Sequence, residues 1–337
     1  MSSVTPAHEG STEAVAQARK TAWRNVIGRP EFGVFLILLV MTMGLSVYTD
    51  TFLTSTNIFN ILRAFSWIAI SAFGQSMAII TNGIDLSVGA VMGLSGLATA
   101  MLLAQGVNVP VAVLGGLLTG LIAGLLNGLM ITKGKLPPFI ATLGMLLMAR
   151  GLCYGLTGGW PVRDLPQTFR NLGQYDVPIA GMGVPLPLIF LLVIGVIMST
   201  FLGRTVWGYR IYALGGNETA TALSGINTNR VKLMVYSLGG FLTAIGGVLM
   251  TARLGVAAPT AASGYELDVI AAAVVGGTSM RGGEGTILGV LIGAAIMQVL
   301  RNGLVLMGVS AYWLQAVQGL VIVVAIMLDQ LRRRERR

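Results

Sequence analysis

From residue 32 onward the chain is a succession of long apolar runs separated by short polar clusters. Each run approaches the roughly 20 residues that a helix needs to cross hydrocarbon. None shows the ten-residue in-out alternation of an outer-membrane barrel strand. The pattern therefore predicts an all-α polytopic membrane protein with about ten spans, at residues 32–48, 58–80, 86–103, 109–132, 139–156, 186–202, 230–253, an eighth after 263–266, 286–300 and 312–328. The pattern predicts a polar tail at residues 1–31 with a surface helix at 12–27, a membrane domain at 32–328 and a basic tail at 329–337. The tail is not a signal peptide, because acidic residues precede basic ones and no small-residue cleavage site follows.

Composition agrees with the pattern. Of 337 residues, 54% are hydrophobic and 10% charged, far from soluble globular usage. The net charge of +9 would suggest nucleic acid in a soluble chain, but its placement gives a simpler account. Ten spans with both termini inside put all the Lys and Arg in the cytoplasm except Arg63, Arg150, Arg163, Arg170, Arg253 and Arg301. Cys153 alone forms no intrachain disulfide or four-cysteine metal site, and the one histidine, His8, leaves a Ser/His protease or His-ligated metal without support.

Polar residues inside such a chain are the candidate chemistry. Thr81-Asn82-Gly83-Ile84-Asp85-Leu86-Ser87 interrupts two apolar runs, and Asp85 or Ser87 either caps the next helix or lines a path. Ser263 to Glu266 matches a capping box, with Asp268 just beyond, and Glu266 and Asp268 carry the same two readings. Gln75, Asn82, Asn127, Gln298, Gln315 and Gln318 either line a path or hydrogen-bond between helices. Gly116, Gly120, Gly124 and Gly128, at four-residue spacing, predict a close-packing face. The glycines from Gly276 to Gly289 miss the dinucleotide spacing and predict a turn followed by a packing face. Lys133-Gly134-Lys135-Leu136 misses the nucleotide-loop spacing and lacks the Ser or Thr that would hold magnesium, so no ATP site is found in this chain.

Between the sixth and seventh spans, Asn217 can cap, Glu218 suits a first turn and Gly225 can end a two-turn helix outside the membrane. A helix this short is marginal alone, so it rests on its own protein, on headgroups or on a partner. The longest polar connection, 158–185, should be an ordered external loop. A weak echo between 83–88 and 264–269, at the starts of the third and eighth spans, suggests an inverted five-helix repeat.

Several of these residues carry a resemblance. Gly83-Ile84-Asp85-Leu86-Ser87-Val88-Gly89, Asn217 with Ala220, Ala222, Ser224, Gly225 and Ile226, Leu267-Asp268 with Ala271, and Gly276-Gly277-Thr278-Ser279 with Gly282-Gly283 look like the permease subunits of bacterial ABC importers of the ribose, galactose, xylose and autoinducer type. Asn82 departs from a position that is often glycine in that family. The resemblance implies a non-enzymatic permease subunit in the bacterial inner membrane, importing a ribose-like monosaccharide. It implies as partners a tandem sugar-type ATPase that binds ATP and Mg, a periplasmic sugar-binding protein, and a second permease, identical or related. A branched-chain amino acid or autoinducer permease is the near alternative, and a stand-alone secondary transporter the distant one. By the same resemblance Gly216, Asn217, Glu218, Ala220, Ala222, Ser224, Gly225 and Ile226 form the segment coupled to the ATPase. Arg63, Arg163, Arg170, Arg253 and Arg301, by placement and charge, form the candidate docking surface for the binding protein.

Overall fold

The structure is a computed structural model that describes residues 30–310 except Ala180, with isolated helical positions between 313 and 327. The expected surface helix at 12–27, most of the expected tenth span with Gln315 and Gln318, and the basic tail lie outside the described residues.

Twelve helices and one small hairpin make up the described chain. They are α1 (Pro30–Tyr48), α2 (Ser55–Ile80), α3 (Val88–Ala104), α4 (Val109–Thr132), α5 (Pro138–Thr157), α6 (Gln167–Gln174), β1 (Asp176–Ile179), β2 (Met182–Pro185), α7 (Leu186–Arg204), α8 (Val206–Gly216), α9 (Glu218–Leu223), α10 (Thr228–Leu254), α11 (Tyr265–Val275) and α12 (Ile287–Leu306). Six of them, α1, α4, α5, α7, α10 and α12, are long and apolar enough to cross a membrane. Asn108 Oδ1 caps α4 through the Val111 N–H, Asn227 Oδ1 caps α10 through the Arg230 N–H, and Thr286 Oγ1 caps α12 through the Gly289 N–H. Each side chain supplies an acceptor to a first-turn amide that has no intrahelical partner.

Helices α2 and α10 form the centre. From Phe65 to Ile80 every residue of α2 is buried, and α10 crosses it where Gly74 meets Gly239. The glycine stripe of α4 is a packing face: Gly116 lies against Ser95 and Thr99 of α3, Gly120 and Gly124 against the backbone of Gly240, and Gly128 against Leu233. Absence of side chains lets these backbones approach, which is how helices associate where lipid removes the hydrophobic drive. Gly289 and Gly293 set α12 against the carbonyls of Gly276 and Ala272 in the same way. Outward faces are apolar, as at Val40, Met43, Ile122, Leu147 and Val196.

Two features differ from the sequence reading. The 158–185 connection, expected as an ordered loop in an all-α chain, holds a hairpin: β1 and β2 pair antiparallel around Gly181, and Val162 bridges Ala257. The eighth apolar element, α11, has only 11 residues, about 16 Å of helix, and is reached by an irregular segment at 255–264.

Candidate functional site

The polar break after α2 is a helix stop of defined type. Gly83 N–H donates to the Ala78 carbonyl (2.8 Å) and Asn82 N–H to the Ile79 carbonyl (2.9 Å), with Asn82 left-handed at φ 61°. This is the paired-bond motif that ends helices, and its left-handed position prefers glycine first and asparagine next. The departure at Asn82 therefore preserves the backbone.

Beyond it, five side chains, those of Gln75, Asp85, Ser87, Asn127 and Thr142, fix the chain that leads into α3. With its amide oriented to satisfy both groups, Gln75 donates to the Asp85 carbonyl (3.1 Å) and accepts from the Asp85 N–H (3.3 Å). Asp85 Oδ1 accepts from the Ser87 N–H (2.8 Å) and from Ser87 Oγ (2.6 Å), and Asn127 Nδ2 donates to Ser87 Oγ (3.0 Å). Thr142 Oγ1 donates to the Ile84 carbonyl (3.1 Å). Irregular backbone within a bundle requires such partners. The capping expectation needs correction: Ser87 holds the cap position but makes no capping bond, because its hydroxyl is turned to Asp85, which accepts two residues on instead. Buried Tyr236 of α10 presses its hydroxyl against Gly83, and a narrow crevice lies between Gly74, Gln75, Asp85, Tyr236 and Thr243.

The second break, 255–264, precedes α11. Arg150 Nη1 reaches from α5 to the carbonyls of Pro259 (2.7 Å) and Ala261 (2.8 Å). The capping box read at Ser263 to Glu266 is formed only in half. Glu266 Oε1 accepts from the Gly264 N–H (3.2 Å), but Ser263 Oγ donates back to Thr260. The reason is Gly264, which is left-handed at φ 86° and takes the cap position, leaving Ser263 one residue outside. Asp268, 2% exposed, accepts from Arg301 Nη1 (2.9 Å), and Arg301 stacks on the Tyr265 ring. Gln298 is buried on α12. The candidate path residues thus divide: Gln75, Asp85, Ser87 and Asn127 come together, Glu266 and Asp268 sit at the start of α11, and Asn82 turns away from both groups.

Asn82 points to the end of α8. Its Nδ2 donates to the Gly215 carbonyl (2.9 Å), Gly283 N–H donates to the Ile80 carbonyl (2.9 Å), and Tyr212 Oη donates to the Gly285 carbonyl (2.7 Å). Burial raises the Tyr212 phenol above its ordinary pKa. Immediately beyond Gly216, α9 is capped by Asn217 Oδ1, which accepts from the Ala220 N–H (2.9 Å). Glu218 pairs with Lys232 (2.7 Å), Gly225 ends the turn at φ 83°, and Thr221 and Ile226 face inward. Ala220, Ala222, Leu223 and Ser224 are exposed.

At the opposite end of α2, Arg63 Nη2 binds both oxygens of Asp176 in β1 (2.6 Å), and Arg253 donates to Asn60 (2.9 Å). Arg170 is half-buried beside Gly255, and Arg163 is exposed. Sequence reasoning missed Tyr212, Tyr236, the Arg150 clamp and the reciprocal amide pair of Asn57 with Asn302. Each joins residues far apart in the chain, so no local pattern marks it.

No solved structure matches the chain. It is similar to the ribose import permease protein RbsC of Bacillus subtilis (strain 168), 44% identical over 89% of this chain and 92% of the relative, and to that of Escherichia coli (strain K12), 43% identical over 87% and 92%. It is also similar to the xylose transport system permease protein XylH of Haemophilus influenzae, 34% identical over 88% of this chain and 95% of the relative. The family described as the permease component of the branched-chain amino acid transport system matches residues 57–326, and to that family of membrane permeases this chain belongs.

Proposed function

We propose that this chain is the permease subunit of a bacterial inner-membrane ABC importer for a ribose-like monosaccharide. The observation that carries the reading is the 44% identity, over nearly the whole of both chains, to a ribose import permease. The exposed, capped α9 supports it, since a six-residue helix gains a reason to persist when a partner seats on it. In this reading α9 and its flanks, Gly216 to Ile226, take the motion of a separate ATPase that binds ATP and Mg. The permease carries no catalysis.

Ten spans are the reading of the apolar runs, and the Lys and Arg distribution supports placing both termini in the cytoplasm. An inverted repeat is supported by the parallel order of parts in the two halves. Long α2 and α10 cross through Gly74 and Gly239, each is followed by an irregular break, then by the shorter α3 and α11, then by the glycine-faced α4 and α12. A second permease completes the path, and a periplasmic binding protein docks at the end that carries α6 and the hairpin. Arg163 is the exposed cation there, while Arg63 and Arg301 are engaged inward with Asp176 and Asp268. Neutralising Arg163 and Arg170 should weaken transport at low binding-protein concentration, and unchanged transport would remove the loop from the docking surface.

The test is uptake of labelled ribose into proteoliposomes containing the assembly purified from native membranes, with loaded binding protein outside and ATP inside. Uptake that requires ATP and is competed by ribose supports the reading. Uptake competed by leucine instead favours the second reading, an amino acid permease, to which the family's description points. ATP-independent uptake by this chain alone would overturn both.

A further inference from the structure

We propose that Asn82 and Tyr212 are positioning residues that join the coupling segment to both halves of the bundle, so that movement of α9 is delivered to the two polar breaks together. The inference rests on the importer reading and adds the route by which the motion travels.

Three segments meet at one point. The end of α8 is packed against the end of α2 and the loop before α12 so closely that a Cβ at Gly215 would strike the Ile80 carbonyl and the Gly283 amide. Asn82 lies between them: its Nδ2 donates to the Gly215 carbonyl (2.9 Å), and its amide group rests against Gly282. The Gly215 carbonyl belongs to the last turn of α8, where helical partners run out, so the amide fills a vacancy that the helix leaves. One turn earlier on α8, Tyr212 Oη donates to the Gly285 carbonyl (2.7 Å). The circle closes where Gly283 N–H donates to the Ile80 carbonyl (2.9 Å). Asn217, the cap of α9, follows Gly215 by two residues, so little slack separates the exposed helix from this junction.

Each tie reaches a different half. Asn82 stands directly before the segment held by Gln75, Asp85 and Asn127, and Gly285 stands directly before α12, which carries Arg301 against Asp268. The asparagine is placed for this use. The left-handed φ of 61° would suit glycine equally, but glycine has no amide to donate. Asn82→Gly therefore removes the tie and keeps the turn, and Asn82→Asp keeps shape and turn but replaces the donor with an acceptor. Tyr212→Phe removes the second tie.

The experiment measures ribose transported per ATP hydrolysed in proteoliposomes of the complete assembly, for wild type, N82G, N82D, Y212F and N82G/Y212F. A neutral hydrogen bond biases an equilibrium by about fivefold. The expected result is a ratio lowered by about fivefold or more in the double variant and by less in Y212F and N82G, with N82D behaving like N82G. Recovery of the ATPase and the basal hydrolysis rate should be unchanged, which a merely structural role would not leave so. An unchanged ratio in the double variant, a wild-type ratio in N82D, or a loss of transport strictly in proportion to hydrolysis would each overturn the proposal. If the wild-type assembly itself shows no ATP-driven uptake, the importer reading falls, and the ties lose their role with it.

Discussion

The crossing of α2 and α10 offers a test of the packing in which one helix pair serves as its own control. A Cβ at Gly74 would stand 2.8 Å from the Gly239 Cα and 3.0 Å from its carbonyl oxygen. A Cβ at Gly239, in the same crossing, would meet nothing nearer than the Gly74 carbonyl oxygen at 3.7 Å. Carbon atoms settle at about 3.5–4.0 Å, so Gly74→Ala must part the helices by roughly 0.7–1.2 Å, and both neighbours are backbone, which cannot swing aside. Overpacking of this size costs about 1–3 kcal/mol. Both positions are helix-interior, and alanine gains about 0.8–1.0 kcal/mol of helix propensity over glycine at either, so that term cancels between them. Gly74→Ala should thus be less stable than Gly239→Ala by about 1–3 kcal/mol. The assay is unfolding of the detergent-solubilised protein by a denaturing detergent, followed by fluorescence of Trp67, buried on α2 two turns from Gly74. Equal stabilities, or a less stable Gly239→Ala, would refute the idea that the close approach is one-sided and that it limits this crossing.

Other perturbations have outcomes fixed by particular contacts. Asn217→Ala removes the cap of α9 and should cost about 1 kcal/mol locally, read as reduced recovery of the ATPase in affinity purification. Lys232→Ala breaks an ion pair whose Glu218 side chain is half exposed, so the same unfolding assay should register about 1 kcal/mol or less. Arg301→Ala leaves the buried Asp268 carboxylate without its cation, at a cost of roughly 1.5–3 kcal/mol, and Asp268→Asn in the same chain should recover part of it.

Local patterns were legible in the sequence and distant partners were not. The four-residue spacing of Gly116 to Gly128 is a helical period, so it marked one face of α4, and that face is the one that packs. Asn217 and Gly225 are caps whose partners lie within the same short segment, and both stand where the sequence put them. At Ser263 the pattern misled, because a capping box assumes an extended residue at the cap and Gly264 supplied a left-handed one instead. The ion pairs of the arginines at 63 and 301 were not legible, because neither Asp176 nor Asp268 is their neighbour in sequence. The hairpin was hidden by Pro178 and Pro185, which argue against strand interiors yet are tolerated in a two-stranded ribbon with free edges. Asn82 was visible as an oddity, but its use depends on Gly215, 133 residues away.

The Arg150 clamp has a consequence for how the chain is made. The carbonyls of Pro259 and Ala261 lie in irregular backbone, and the donor that satisfies them belongs to α5, within an apolar span completed about a hundred residues earlier. Segments emerge from the ribosome in order, and backbone without partners is not tolerated in lipid. Residues 255–264 therefore have a settled place only after α5 is seated, and α11, too short to hold a transmembrane position by itself, waits on them. The first half of the chain acts as the assembly template for the second, so a lesion at Arg150 should appear as rapid turnover of the newly made chain by membrane proteases, before any defect in transport can be measured.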